Sequence, residues 1–96
     1  MAKFDAKDLN IEPAAAQLLG DAYVQLEDYA KAVKAFENAA ASGNDIIAPM
    51  SLKKLGFVQM ELGNNKAALK AFEAIKNDYP ASTEAQDIEK YSAIVK

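Results

Sequence analysis

The stretch Ala32-Val33-Lys34-Ala35-Phe36-Glu37 returns along the chain as Ala68-Leu69-Lys70-Ala71-Phe72-Glu73. Five of its six positions are identical, and the remaining position exchanges one aliphatic residue for another. The offset from residue 32 to residue 68 is 36 residues. The same offset matches further pairs: Pro13 with Pro49, Leu19-Gly20 with Leu55-Gly56, Leu26 with Leu62, and Asp28 with Asn64. The chain is therefore predicted to be a repeat protein with two full units.

The first unit is predicted to form two helices, because apolar residues recur three and four positions apart in two segments. The first helix should run from Pro13 to Leu26, with the proline in its first turn. The second should be capped by Asp28 and end near Ser42-Gly43, where the glycine can adopt a left-handed conformation. The predicted inward faces are Leu18, Leu19, Ala22, Tyr23 and Leu26 on the first helix, and Tyr29, Ala32, Val33, Phe36 and Ala40 on the second.

The second unit repeats this plan. Its first helix should be capped by Asp45 and run to Leu62, and its second should be capped by Asn64 or Asn65 and stop before Pro80. The predicted inward faces are Leu52, Leu55, Val58 and Leu62 on one helix, and Ala68, Leu69, Phe72 and Ile75 on the other.

A fifth helix should follow, because Thr83 and Gln86 have the spacing of a capping box. Its predicted apolar face consists of Ala85, Ile88, Tyr91 and Val95. The chain then divides into four segments: residues 1–12 as an N-terminal extension, 13–46 and 47–81 as the two repeats, and 82–96 as a C-terminal capping helix.

The 36-residue offset can also be applied to the residues before the first unit. Residues 1–8 then lie where the end of a preceding second helix would lie, which suggests a piece of a longer solenoid. Such an end would be weakly capped and would expose apolar surface. We therefore expect self-association, as a homo-oligomer, at high concentration.

Composition excludes several classes of function. The 96 residues include twenty alanines but no cysteine and no histidine, which rules out disulfides, Cys/His zinc sites and a histidine general base. The net charge is −3, and the basic residues are all lysines without a basic stripe, so nucleic-acid binding is not expected. Because no apolar run approaches 18 residues, membrane insertion by this chain is not expected either.

The acidic residues form two groups that could suggest catalysis. One group is near the N-terminus and the other near the C-terminus: Asp5, Asp8 and Glu12, and Asp78, Glu84, Asp87 and Glu89. Acid–base work needs a pocket that raises the pKa of one carboxyl group, and helix ends explain these acids more simply. No catalytic residue, cofactor or metal site is predicted, and the chain is not expected to be an enzyme.

The pattern resembles the tetratricopeptide repeat. In the first unit the likeness rests on Leu19-Gly20-x-x-Tyr23, Ala32, Phe36 and Ala39, and in the second on Leu55-Gly56, Gly63, Ala68, Phe72 and Pro80. The resemblance implies an all-α fold, in which two helical hairpins stack as a right-handed solenoid and a C-terminal helix caps them. Two departures stand out. The second unit has Gln59 at the position that matches Tyr23 of the first unit. The first unit has Glu27 at the position that matches the turn residue Gly63 of the second.

The resemblance also implies a function, since tetratricopeptide proteins mostly bind a peptide or partner protein on a concave face. That face is formed by the first helix of each unit. The implied partner-binding residues are Gln17, Asp21, Val24, Gln25, Met50, Lys53, Lys54, Phe57, Met60 and Glu61. The partner is a protein or peptide whose identity the sequence does not give.

Phe57, Met60 and Met50 can be interpreted in two ways. They can form an adaptable apolar patch, with Phe57 and Met60 as anchors and nearby charges setting orientation. Alternatively, the fifth helix or a neighbouring unit covers them. Two further functions compete with binding: an architectural spacer within a larger, self-associating bacterial assembly, and a hydrolase, which needs paired carboxylates in a deep pocket.

A narrower likeness concerns residues 72–85, which are similar to repeats of bacterial cell-envelope proteins through Tyr79-Pro80-Ala81-Ser82. The N-terminus has no signal-peptide pattern. A cytoplasmic location therefore stands beside an envelope or periplasmic one, which would require a preceding signal or anchor.

Overall fold

The computed structural model describes residues 12–95, and these residues form five helices. The helices are α1 (Pro13–Gln25), α2 (Tyr29–Ala40), α3 (Ile47–Glu61), α4 (Asn65–Asp78) and α5 (Thr83–Val95). No strand occurs among the described residues. The predicted all-α class is confirmed, and each helix lies where apolar periodicity predicted it.

Each helix packs against the next one along the chain, which makes two hairpins, α1–α2 and α3–α4, followed by α5. The first helices of successive units also contact one another, because α1 packs on α3 and α3 on α5. The backbones of α2 and α4 do not approach each other in this way, and these helices meet only through side chains of the core. The layer formed by α1, α3 and α5 is therefore the inner side of the predicted solenoid.

Two glycines allow the helices of each hairpin to pack closely. A Cβ atom on Gly20 would lie 2.4 Å from the ring of Phe36, and one on Gly56 would lie 2.3 Å from the ring of Phe72. These distances are far below van der Waals contact, so each ring occupies the space that a side chain would need. Both phenylalanines are buried.

The core consists of two clusters, one at each step of the stack. Buried Phe36 packs with residues of α2, α3 and α4, and so bridges the two hairpins: Ala32, Leu55, Val58 and Ala71. Phe72 packs likewise with residues of α4 and α5: Ala68, Ile75, Ile88 and Val95. Apart from Ala71, the members of both clusters lie on the predicted inward faces. Leu62 of α3 was also predicted to face inward, and this is wrong because it follows the last residue of the helix and is 42% exposed.

Two predicted N-caps are wrong by one residue. The side chain of Asn44, not Asp45, accepts hydrogen bonds from the backbone N–H groups of Ile46 and Ile47, each at 2.9 Å. The backbone carbonyl of Asn44 also accepts from Ala48 N–H, as that of a helix cap does. The reason is the preceding turn. Gly43 has φ +75°, which ends the α2 segment and starts the next turn at Asn44.

The second misplaced cap belongs to α5. Ser82 Oγ accepts from the backbone N–H of Ala85 at 3.2 Å, so Ser82 takes the capping role predicted for Thr83 with Gln86. At the start of α2, Asp28 caps as predicted and accepts from Lys31 N–H at 3.4 Å.

Asn64 precedes α4 in the cap position, as one of the two predicted alternatives, but its side chain makes no capping bond. Its Nδ2 group instead donates to Gln59 Oε1 at 3.1 Å. Gln59 lies where the first unit has Tyr23, and this bond satisfies its amide oxygen in a buried position.

The predicted inward face of α1 is partly wrong. Leu18 and Leu26 are 68% and 74% exposed, and Ala22 is exposed as well. The residues of α1 that are buried are Ala16 and Gly20. Periodicity identified an apolar stripe correctly, but no described helix covers it, because α1 packs on α2 and α3 through its other sides. The predicted origin of residues 1–8 in a preceding helix lies outside the described residues.

Candidate functional site

Polar contacts link successive inner helices. Ser51 Oγ of α3 donates to Gln17 Oε1 of α1 at 2.8 Å. Lys54 Nζ lies 2.7 and 2.9 Å from the two carboxylate oxygens of Asp21. We call this set of contacts, together with the Lys53–Asp87 pair between α3 and α5, the inner ladder. Several predicted binding residues therefore form polar contacts with a neighbouring inner helix.

The cation of Lys53 has two contacts on α5. Its Nζ lies 3.4 Å from Asp87 Oδ2 and 5.1 Å from the ring centre of Tyr91. Since both lysines of the Lys53-Lys54 pair have carboxylate partners, no unpaired positive charge comes from this pair. These ion pairs are partly exposed, so each contributes little to stability, on the order of 1 kcal/mol or less.

Beside the ladder, an open depression of ≈350 Å³ lies between α1 and α3, next to the start of α2. Its lining consists of Val24, Tyr29, Phe57, Val58, Met60 and Glu61. A smaller hollow of ≈190 Å³ adjoins it and shares Val24, Phe57 and Val58. Together they form one groove, which we call the inner groove. Its walls are apolar and aromatic, and Asp21 and Lys54 lie in the smaller hollow.

Phe57 is the central aromatic residue of the inner groove. It remains 36% exposed, although its ring packs edge-on against Tyr91 at 4.9 Å and against Phe72 at 5.8 Å between ring centres. The fifth helix therefore covers one side of Phe57 and leaves the other open. This partial cover agrees with the interpretation in which the fifth helix packs on Phe57.

The ten predicted binding residues fall into three groups. Four line the larger depression: Val24, Phe57, Met60 and Glu61. Four belong to the inner ladder, and two of these also line the smaller hollow: Gln17, Asp21, Lys53 and Lys54. The last two line neither part of the groove, and of these Gln25 is exposed and Met50 half-buried.

Sequence reasoning missed three residues around the groove. Tyr29 and Val58 line it, and Tyr91 supports Phe57. Tyr29, Val58 and Tyr91 were all assigned to inward faces by their helical spacing. Helical periodicity shows which residues face inward. It does not show how the helical stack curves, and therefore not which inward residues border a gap between α1 and α3.

The buried polar groups of the described residues have hydrogen-bond partners within the chain. No group of three His, Cys, Asp or Glu residues among positions 12–95 is placed to hold a metal ion. In the same range, no buried side-chain nitrogen or oxygen lacks a hydrogen-bond partner. The carboxylates of Asp21, Asp87 and Glu89 pair with lysines. None of the helices described is both long enough and apolar enough to cross a bilayer.

Comparisons with known proteins agree with this architecture. Two family models, each described as tetratricopeptide repeat, match residues 13–41 and 52–82. No curated protein and no solved structure gave a significant match. The matched ranges cover the first helical hairpin and, from residue 52 onward, the second, and they include the glycine and phenylalanine positions that set the hairpin packing. The chain belongs to the tetratricopeptide repeat family.

Proposed function

We propose that this chain is a non-catalytic protein-interaction module that binds a peptide or a segment of a partner protein in the inner groove. Tetratricopeptide repeats generally mediate protein–protein interaction or scaffolding. The observation that carries the proposal is the groove itself, whose apolar lining includes Val24, Met60 and the partly exposed Phe57. An apolar side chain of the partner would displace water from this surface and gain the free energy of burial.

The charged residues near the groove have different proposed roles. The inner ladder already pairs Lys53 and Lys54 with carboxylates, so these lysines fix the spacing of the inner helices. Glu61 lines the groove and forms no ion pair with another described residue. We assign the orientation of the partner to Glu61, and the anchoring contact to Phe57 and Met60.

A matched pair of charge reversals tests the proposal. Glu61→Lys changes an exposed carboxylate at the groove, and Glu73→Lys makes the same change at an exposed site on α4, away from the groove. The full chain and both variants would be used in cross-linking capture from native lysate, after circular dichroism has confirmed equal folding. We expect Glu61→Lys to lose the captured partner and Glu73→Lys to keep it.

Substitution of the anchoring residue Met60 provides a second test. Met60→Glu places a charge in the apolar wall and should abolish capture, provided the variant remains folded. If the parent chain captures the same proteins as Glu61→Lys and Met60→Glu, the groove is not the binding site.

The inner ladder supports a second candidate function, an architectural spacer. Its contacts cross from one inner helix to the next, and such cross-links are more useful to a spacer than to a binding module. A spacer would keep all its associations in the groove variants, and would change its length or stiffness when the ladder is broken. The division into two repeats, residues 13–46 and 47–81, with a capping segment at 82–96, remains our proposal for both functions.

A further inference from the structure

The exposed residues of α1 are apolar except for Gln25, and the C-cap residue Leu26 extends the apolar surface. Four residues lie on this face at helical spacing, and we call them the α1 stripe: Ala15, Leu18, Ala22 and Leu26. All four are exposed, and the two leucines are among the most exposed large apolar residues of the described chain. A face of this kind is expected to be covered in the functional state, because isolated apolar residues are common on surfaces but aligned ones are not.

Internal repetition shows what this face does elsewhere in the molecule. The residues of α3 that match Ala15 and Ala22 are Ser51 and Val58, which are both buried. Ser51 donates a hydrogen bond to α1, and Val58 packs in the core cluster with Phe36 of α2. Leu18 corresponds to Lys54, which pairs with Asp21 of α1, and Leu26 corresponds to Leu62, which is 42% exposed. Three of the four matching positions on α3 therefore contact the preceding helices, whereas on α1 the stripe has no described neighbour.

The order of residue sizes makes the α1 stripe complementary to itself. Along the helix, small and large residues alternate as Ala15, Leu18, Ala22 and Leu26. An antiparallel second copy of α1 would bring Ala15 opposite Leu26 and Leu18 opposite Ala22. Each leucine then meets an alanine, which is the large-to-small arrangement that close-packed helices require.

The charge of α1 also favours a second copy. Asp21 is the only acidic or basic residue within Pro13–Gln25, and Lys54 neutralises it at 2.7 Å. Between its two ends, α1 therefore offers no like-charge repulsion to a second copy. The acids that flank the helix, Glu12, Glu27 and Asp28, lie at the edges of the contact and weaken it. A charged partner would find no opposite charge on this helix to match its own.

We propose that the α1 stripe is the interface of a weak antiparallel homodimer of this chain. Thirteen residues of helix span only about 20 Å. Contact along one helix of this length buries less than the roughly 800 Å² per partner of a stable complex. The dimer is therefore concentration-dependent. The α1 stripe shares no residue with the lining of the inner groove, so this proposal is independent of the proposed binding there.

Sedimentation of the full chain tests the proposal, over about 10 µM to about 1 mM protein, the range of weak dissociation constants. We expect the average mass to rise from 10.3 kDa towards twice that value. Leu18→Glu should keep the chain monomeric. Ile46→Glu, at a residue that is 71% exposed outside α1, should dimerise like the parent. A parent chain that stays monomeric over this range, as it would if another partner or segment covered the stripe, would overturn the proposal.

A size swap tests the packing more sharply. Ala22→Leu should abolish dimerisation because it sets leucine against Leu18 of the second copy, and Leu18→Ala should weaken it by leaving a gap. The double variant Leu18→Ala/Ala22→Leu restores one large and one small residue, and should recover dimerisation. If Ala22→Leu strengthens association, or if the double variant is no better than either single variant, the antiparallel contact is wrong.

Discussion

Glu27 adopts a backbone conformation that suits glycine. Its φ is +59°, whereas Gly63, the matching residue of the second unit, has φ +80°. A side chain in this region costs about 1 kcal/mol or more, because its Cβ crowds the backbone. The first unit therefore contains a strained turn that the second unit avoids.

Glu27→Gly should raise the free energy of unfolding by a few tenths of a kcal/mol to about 1 kcal/mol. The opposite change, Gly63→Ala, should lower it by about 1 kcal/mol, although a Cβ atom there would meet nothing within 4 Å. Urea unfolding of both variants measures the two effects. Equal signs for the two substitutions would show that backbone strain does not control these turns.

Gly56 is constrained by space, not by its backbone. Gly56→Ala would improve helix propensity by about 1 kcal/mol, but its Cβ would lie 2.3 Å from the buried ring of Phe72. Overpacking of this kind costs roughly 1–3 kcal/mol, so we expect net destabilisation in a thermal or urea melt. Gly56→Ala/Phe72→Leu should recover part of the loss, because the smaller side chain leaves room. Additive losses in the double variant would contradict this account.

At the scale of the helix, Asn44 and Asp45 are both good capping residues, and the sequence alone does not show which of them caps α3. Asn44→Ala should destabilise the chain by about 1 kcal/mol, since it removes the acceptor for Ile46 and Ile47 N–H. Asp45→Ala serves as the matched control and should change stability by less than about 0.5 kcal/mol. Chemical denaturation distinguishes them, and a larger loss from Asp45→Ala would restore the original assignment.

The helices themselves were predictable because small and large residues recur at one offset. Gly20 with Phe36 and Gly56 with Phe72 encode the hairpin packing in the sequence. The caps were less predictable, since Asn44 and Asp45 are both good capping residues and so are Ser82 and Thr83. The choice between them depends on where the preceding turn ends, which Gly43 decides through its positive φ.

The candidate site was predictable only in part. Phe57, Met60 and Glu61 could be placed on one helix surface from spacing, and they line one depression. The ladder partners could not be predicted, because a lysine on α3 reaches a carboxylate 33 or 34 residues away on another helix. The distance in space between the lysine and the carboxylate depends on how the two units are oriented relative to each other, and the sequence repeat does not specify this orientation.

At the scale of the molecule, a stack of helices with contacts only between neighbours should open from its ends. The fifth helix contacts α4 and α3, and Tyr91 anchors it on Phe57 and Phe72. The first helix contacts α2 and α3, with Tyr23 packed against the first core cluster. Neither end helix is held from both sides in the described chain.

Tyr91→Ala should therefore raise amide hydrogen exchange in α5 by about tenfold or more, because it lowers the free energy of local opening by over 1 kcal/mol. Exchange in α1 and α2 should change by less than about threefold, since local opening at one end leaves the other intact. Tyr23→Ala is the matched control and should show the reverse pattern, in which amide exchange rises in α1 and stays nearly unchanged in α5. Exchange measured by mass spectrometry at peptide resolution distinguishes the ends. A uniform rise along the chain for either variant would show that the repeats unfold as a single cooperative unit, and that the end helices have no independent opening.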